Sequence, residues 1–438
     1  VLSFLIAGVV CGAAVMCYAE FASMIPVAGS AYTFTYTTVG EIVAWVIGWD
    51  LILEMLMAGS VVSKYWGVYL NQFFELIGWN INTNIAIGSF NFDLAPVIIV
   101  AFFTALLVMG TKIGARVDGA LTILKIAIVV FIVVVGFFYI KAENFTPFIP
   151  PSEPAASTDG SGVSAVMEQP LWQWATGMAP SIYGVTGIIS GAALVFFAFL
   201  GFDVVATASE ETINPKKNVP LGIGVGLGLI IVLYSLVAIV TTGMVSYKDL
   251  AKQSDPSLAV AFKMVGADWA AKIISLGIVI GMATVVMVLL LGLTRVVFAM
   301  SRDGLLPRGL SHTGKHGTPV RLQIIVGVVM ALIAACCNVG ILSDMVNIGT
   351  LSAFTLVAIS IPIMRKKRPD LEHSFKIPGN PWVPILIAIA NLWLMVNLSV
   401  LTWIRFVVWL IVGFAIYFGY GYRHARLGAG ELEVAAQE

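Results

Sequence analysis

The chain has 438 residues, 59% of them apolar and only 11% charged, and its mean hydropathy is +0.97. An average soluble domain is about 25% charged, so there is too little polar material here to cover a folded chain, and lipid must replace water over much of its surface. The 24 basic and 24 acidic residues cancel, which removes a basic nucleic-acid binder; a soluble enzyme, a disordered tail and a disulfide scaffold are excluded by the same composition.

A bilayer core of about 30 Å is crossed by about 20 mostly apolar residues in a helix. In chain order such runs are Val1–Ala22, Glu41–Leu70, Leu94–Gly110, Val117–Ile140, Gly184–Glu210, Val219–Val245, Trp269–Met300, Val320–Val339, Met345–Met364, Pro384–Leu401 and Phe406–Tyr422. Eleven helices make this an all-α polytopic membrane protein. Cys11, Cys17, Cys336 and Cys337 lie in apolar runs without CxxC spacing and read as packing residues. The long connection Lys141–Ser181 is rich in Ser and Pro and reads as an irregular cap. A short surface helix is expected around Pro256–Val265. Gly222, Gly224, Gly226 and Gly228 form two small-xxx-small pairs, which permit close approach by a neighbouring helix.

Alternate loops divide into a set rich in Lys and Arg and a poor one. The rich set holds 16 of the 24 cations, among them Lys216, Lys217, Arg302, Arg308, Arg365, Lys366, Lys367 and Arg423. Excess Lys and Arg mark the cytoplasmic side, so the rich loops and the C-terminus are expected inside. Eleven helices then put Val1 at the outer surface, where an apolar helix begins with no charged leader, and a preceding helix is expected to be missing.

An ionisable group inside a span is costly and points to function. Asp50 and Glu54 lie four apart on one helix face, Lys64 lies on the same helix toward its outer end and reads as interfacial, and Lys125 and Asp203 fall within later spans. The run Phe196-Phe197-Ala198-Phe199-Leu200-Gly201-Phe202-Asp203 interrupts an apolar helix with a glycine and an acid at mid-depth. Broken membrane helices expose carbonyls and amides that can hold charged ligand groups. No Walker A, HExxH or GxSxG pattern occurs, and no cofactor, metal or enzymatic activity is expected.

Several blocks in order, Cys17-Tyr18-Ala19-Glu20-Phe21, Ile25 to Tyr32, Gly48 to Glu54, Phe196 to Asp203, Ser209 to Pro220 and Phe298 to Pro307, resemble the amino acid–polyamine–organocation permeases. The likeness is greatest to bacterial relatives of the cationic amino acid transporters. It implies a LeuT-like 5+5 inverted-repeat fold plus two C-terminal helices, with 11 of 12 helices present and helix 1 missing. On that template residues 1–140 are helices 2–5, 141–183 an extracellular loop, 184–364 helices 6–10, 382–422 helices 11 and 12, and 423–438 a cytoplasmic tail of a single transmembrane domain.

The resemblance also implies residue roles. Phe197 would be the aromatic gate, and carbonyls of Phe197, Ala198 and Leu200, beside Gly201, would take the substrate ammonium. Val286, flanked by Met282 and Ala283, would line the side-chain subsite. Lys125, Glu54 and Asp203 would serve proton coupling, and Arg302 and Asp303 the cytoplasmic gate. The implied activity is amino acid transport across the plasma membrane, with protons as the coupling partner. Exchange without net proton movement, and an amino acid sensor of transporter descent, are the alternatives.

Overall fold

The computed structural model describes residues 1–24, 30–79, 81, 83–87, 90–110, 115–154, 163–207, 212–253, 256–314, 318–367, 369 and 375–425. The first half contains α1 (Leu2–Met24), α2 (Ser30–Thr38), α3 (Glu41–Leu76), the hairpin β1 (Asn84–Ile87) and β2 (Phe90–Asp93), α4 (Leu94–Val108) and α5 (Ala115–Phe137). Only short pieces follow: β3 (Glu153–Pro154), α6 (Val163–Glu168), α7 (Leu171–Thr176) and β4 (Ser181–Ile182). The second half contains α8 (Gly184–Val195), α9 (Phe202–Thr207), α10 (Pro215–Met244), α11 (Tyr247–Ala251), α12 (Leu258–Met264), α13 (Asp268–Arg302) and α14 (Val320–Cys336). It ends with α15 (Val339–Lys367), α16 (Trp382–Met395), α17 (Val400–Ile416) and, after a π-helical turn at Tyr417–Gly421, α18 (Tyr422–His424).

Each of the eleven expected runs coincides with a helical segment. Seven are long and apolar enough to cross a membrane, and Leu94–Val108, Gly184–Phe199, Val320–Cys336 and Trp382–Met395 are shorter apolar helices. Local chemistry fixes several starts. The Asp93 carboxylate accepts the Ala95 N–H at 3.2 Å and caps α4, and Ser257 and Ser399 cap α12 and α17 in the same way. The pairing Asn84↔Asp93 places the first of these caps at the end of the hairpin. The expected surface helix is α12.

Burial sorts the bundle. The face of α3 between Ala44 and Ser63 is largely buried, whereas α5 turns Ile123, Val130 and Phe137 outward, as a helix at the lipid boundary does. In pairs, α3 packs along α13, α1 along α10 and α4 along α14. The partners have similar lengths: 36 and 35 residues for α3 and α13, 15 and 17 for α4 and α14.

The glycine stripe of α10 behaves differently from its expected role. No described residue lies within 4 Å of a Cβ built at Gly222, Gly224, Gly226 or Gly228. The face of α10 that packs on α1 carries Ile223, Leu227 and Ile231 instead, and bulk on that face turns the glycines away.

Loops gather at two ends. The C-terminal pole holds α2, the turn after α13 and the turn after α15, tied to one another and to residues 424–425. The opposite, loop pole holds the 141–183 connection, α11, α12 and the α16–α17 turn, where Leu171 N–H donates to the Leu398 carbonyl at 3.0 Å.

Candidate functional site

The interrupted helix is built from its sequence. After α8 the backbone tightens into a 3-10 turn at Phe196–Phe199, Leu200 is extended, and Gly201 adopts φ +119 before α9 resumes at Phe202. Only glycine takes that conformation without strain. Helical amides and carbonyls lose their usual partners here, and neighbouring helices take up several of them. Asn347 Nδ2 on α15 donates to the Leu194 carbonyl at 3.0 Å; further up α8, away from the break, Ser3 Oγ of α1 donates to the Ile188 carbonyl at 2.9 Å. Cys11 Sγ lies 3.7 Å from the Phe199 carbonyl, so this cysteine does more than fill space.

The carbonyl of Phe197, one of three expected ammonium acceptors, already accepts the Leu200 N–H at 3.3 Å. The tight 3-10 turn imposes that bond. Leu200 directly precedes Gly201, and Ala198 lies within the 3-10 turn.

Four phenylalanines surround the break, and three have one fate. Phe196, Phe199 and Phe202 are buried and pack edge-on or tilted against Phe354, Tyr234, Phe4 and Tyr18, with centroids 5.0 to 6.1 Å apart. Phe197 is half-buried and makes no ring contact among the described residues. Its side chain leaves the helix on a face that the other three do not use.

The remaining expected residues lie on α3, α5 and α13. Val286 is fully buried in the main core, Ala283 packs against that core, and Met282 packs against a second cluster. Lys125 is half-buried, and its stem lies 3.3 Å from a Cβ built at Gly281, so α13 leaves room for it by having no side chain there. Asp50 and Glu54 are buried. Gly292 brings two elements together, with Met55 of α3 at 3.2 Å and Val204 of α9 at 3.4 Å from a built Cβ. The residues preceding these contacts in sequence are Glu54 and Asp203. The Asp203 side chain, the 209–211 motif, most of the Ile25-to-Tyr32 motif (residues 25–29) and the tail beyond 425 lie outside the described residues. Lys64, expected at the interface, donates to the Cys337 carbonyl at 2.8 Å at the end of α14.

At the C-terminal pole Asp303 Oδ2 accepts the Tyr32 hydroxyl at 2.9 Å, while the exposed Arg302 lies 3.8 Å from Asp303 Oδ1. Burial, and then the neighbouring Asp303 carboxylate, push the Tyr32 phenol well above its ordinary range.

Two groups escaped the sequence reading. Glu20 is fully buried on α1 and receives Arg365 from α15 as a bidentate pair, Nε to Oε1 and Nη2 to Oε2, both 2.7 Å. Its Oε2 also accepts the Ile377 N–H at 2.9 Å, and Arg365 Nη2 donates to the Ile377 carbonyl at 3.1 Å. Asn347 was the other. A neutral amide inside an apolar helix signals a buried hydrogen bond, and counting only ionisable residues passed over it.

Comparison with known proteins agrees with this architecture. Residues 1–419 match the amino acid permease family. The chain is 41% identical over 436 residues to the branched-chain amino acid permease BcaP of Bacillus subtilis, covering 97% of this chain and 86% of the relative. It is 40% identical over 435 residues to a methylthioribose transporter of the same organism, covering 98% and 87%. With the human cationic amino acid transporter 4 it shares 28% identity over 558 aligned positions, covering 98% and 83%. The chain with the broken helix at Phe196–Gly201 is thus a multi-pass membrane permease, not an enzyme, and it belongs to the amino acid permease family.

Proposed function

We propose that the protein carries a neutral amino acid across the plasma membrane by alternating access, coupled to protons. The observation that carries this reading is the break itself: the α8 helix ends in a 3-10 turn and a glycine at φ +119 follows. The C-terminal end of α8 carries the negative end of the helix dipole, and the carbonyls of Ala198 and Leu200 are the acceptors for the substrate ammonium. Phe197, the unstacked ring, closes over the bound molecule. Val286 keeps the side-chain subsite apolar, which fits the branched-chain cargo named for the BcaP relative.

Helix pairing supports the inverted-repeat reading. Families of this type place corresponding helices of two repeats about a central axis, and α1 with α10, α3 with α13 and α4 with α14 are such pairs. The Lys- and Arg-rich loops put the C-terminal pole, with Tyr32, Asp303 and the Glu20–Arg365 pair, on the cytoplasmic side. Lys125, Glu54 and Asp203 flank the break and are the groups for the coupling proton. A proton that prefers one of the two access states is enough to drive the exchange between them.

Proteoliposomes test this directly. Uptake of labelled leucine under an inward proton gradient, with no amino acid inside, is the expected result; Phe197→Ala raises the KM at least tenfold and Lys125→Ala abolishes the response to the gradient. Uptake only when amino acid is trapped inside would replace symport with exchange. The methylthioribose relative motivates a second substrate: competition of leucine uptake by methylthioribose would extend the cargo to neutral thio-sugars.

A further inference from the structure

A cavity of about 670 Å³ opens at the loop pole between α8, α15, the start of α17 and residues 168–183. That volume lies within the usual range for small-molecule sites, about 300–1,000 Å³. Its wall carries two opposite charges that do not close on each other. Asp344, in the second turn of α15, uses Oδ2 to accept the Thr402 hydroxyl at 3.1 Å. Arg405, in the second turn of α17, is near enough for its charge to act on Asp344, yet among the described residues its guanidinium forms no ion pair and no hydrogen bond. Both side chains are part-buried at the cavity surface.

The cavity floor is the last turn of α8, where Leu194 lines the space and Asn347 holds the Leu194 carbonyl. The break at Phe196–Gly201 begins two residues further on.

A guanidinium and a carboxylate on one cavity wall match the head group of a free amino acid. The guanidinium takes a carboxylate through two parallel hydrogen bonds, and the carboxylate takes an ammonium. A simple anion would meet Asp344, and a simple cation would meet Arg405; a zwitterion satisfies both. We propose that this cavity is a second binding site, for the head group of a zwitterionic amino acid, with Arg405 on the α-carboxylate and Asp344 on the α-ammonium. It lies on the approach to the broken helix and loads the substrate before Phe197 moves. The ligand class rests on the amino acid reading above; the location does not.

Equilibrium binding of radiolabelled leucine to the purified full chain in nanodiscs separates the two sites. Wild type is expected to bind two equivalents, Phe197→Ala to keep the one in the cavity, and Arg405→Gln to keep the one at the break. Arg405→Gln weakens the cavity equivalent at least about tenfold, as loss of a charge-assisted pair implies, and Arg405→Lys recovers part of it. Leucinol, which lacks the carboxylate, competes at the break but not in the cavity. Asp344→Asn, which keeps the size and can still accept the Thr402 hydroxyl, provides a second variant should Arg405→Gln fail to fold, and it is expected to weaken only the cavity equivalent. A single equivalent, lost in Phe197→Ala and untouched by Arg405→Gln and Asp344→Asn, overturns the second site and leaves the proposed function standing. A single equivalent lost in Arg405→Gln and untouched by Phe197→Ala supports the cavity site and removes the break as the binding site. No binding of leucine at all overturns both.

Discussion

At the C-terminal pole charged and polar groups close on one another: Arg365 on Glu20 at 2.7 Å, Tyr32 on Asp303 at 2.9 Å, and Tyr417 on Glu41 at 2.7 Å. At the loop pole Asp344 and Arg405 face a cavity of about 670 Å³ without pairing, and Gln169 keeps a buried oxygen unmatched. The same residue types thus do opposite work at the two ends. Closed pairs consume their hydrogen-bonding capacity and tie helices together. Open pairs keep that capacity for a ligand.

The largest effect is expected at the most buried pair. Glu20→Gln leaves the Arg365 guanidinium, only 19% exposed, without its carboxylate, and weakens the acceptor of the Ile377 N–H. Removing one partner of a buried pair costs about 3–5 kcal/mol. The thermal midpoint in detergent should therefore fall by several degrees, and the double variant Glu20→Gln/Arg365→Gln should regain at least half of the loss, because no charge is then stranded. An unchanged midpoint in Glu20→Gln would break the contrast between the poles at its strongest point.

The next effect is smaller. Tyr32→Phe keeps the ring, tilted against Tyr36 with centroids 5.7 Å apart, and removes one hydrogen bond to Asp303. A hydrogen bond to a charged acceptor contributes about 1.5–3 kcal/mol. Hydrogen exchange of the amides in 31–38 and 303–306 should quicken in Tyr32→Phe and stay unchanged in the α11–α12 region. The raised phenol fixes the pH window. A group with a raised folded-state pKa lends its stability below its ordinary value, about 10 for tyrosine, and loses it only as the pH climbs through the raised one. The contrast between variant and wild type should accordingly be flat from pH 5 to pH 9.

Much of this was readable beforehand, and the exceptions have physical causes. All eleven apolar helical segments, seven of them long enough to cross a membrane, follow from apolar length, and the break follows from a glycine and an acid set after an aromatic run. The helix α2 does not: Ser30-Ala31-Tyr32-Thr33-Phe34-Thr35-Tyr36-Thr37-Thr38 is rich in β-branched and aromatic residues of low helix propensity, and packing against α3 makes it helical. Glu20 was visible only as part of a motif, because its partner is 345 residues away and no spacing rule spans that distance. Asp344 and Arg405 sit near helix ends, where charge is ordinary. Only the fold puts them on one wall. The α10 stripe shows the converse: four glycines permit close approach, but which face a neighbour occupies is decided by Ile223, Leu227 and Ile231 on the other side.

The smallest effect belongs to the rim of the loop pole. Lys248 reaches Glu153 at 2.8 Å and lies 5.4 Å from the centre of the Tyr183 ring, but nearly half of each charged side chain is exposed. Its hydrogen bond to Glu153 raises the Lys248 pKa above the ordinary lysine value, so the ammonium stays charged through neutral pH and loses its proton only as the pH rises through the raised value. Exposed pairs are screened by water and salt and contribute little. Lys248→Gln should therefore leave the thermal midpoint unchanged at pH 7, in low and in high salt alike, and leave leucine binding in the neighbouring cavity intact. A fall approaching that of Glu20→Gln would mean that the loop pole is also tied together by its ion pairs. The difference between the two ends would then lie in their exposure to water and not in how their charges are paired.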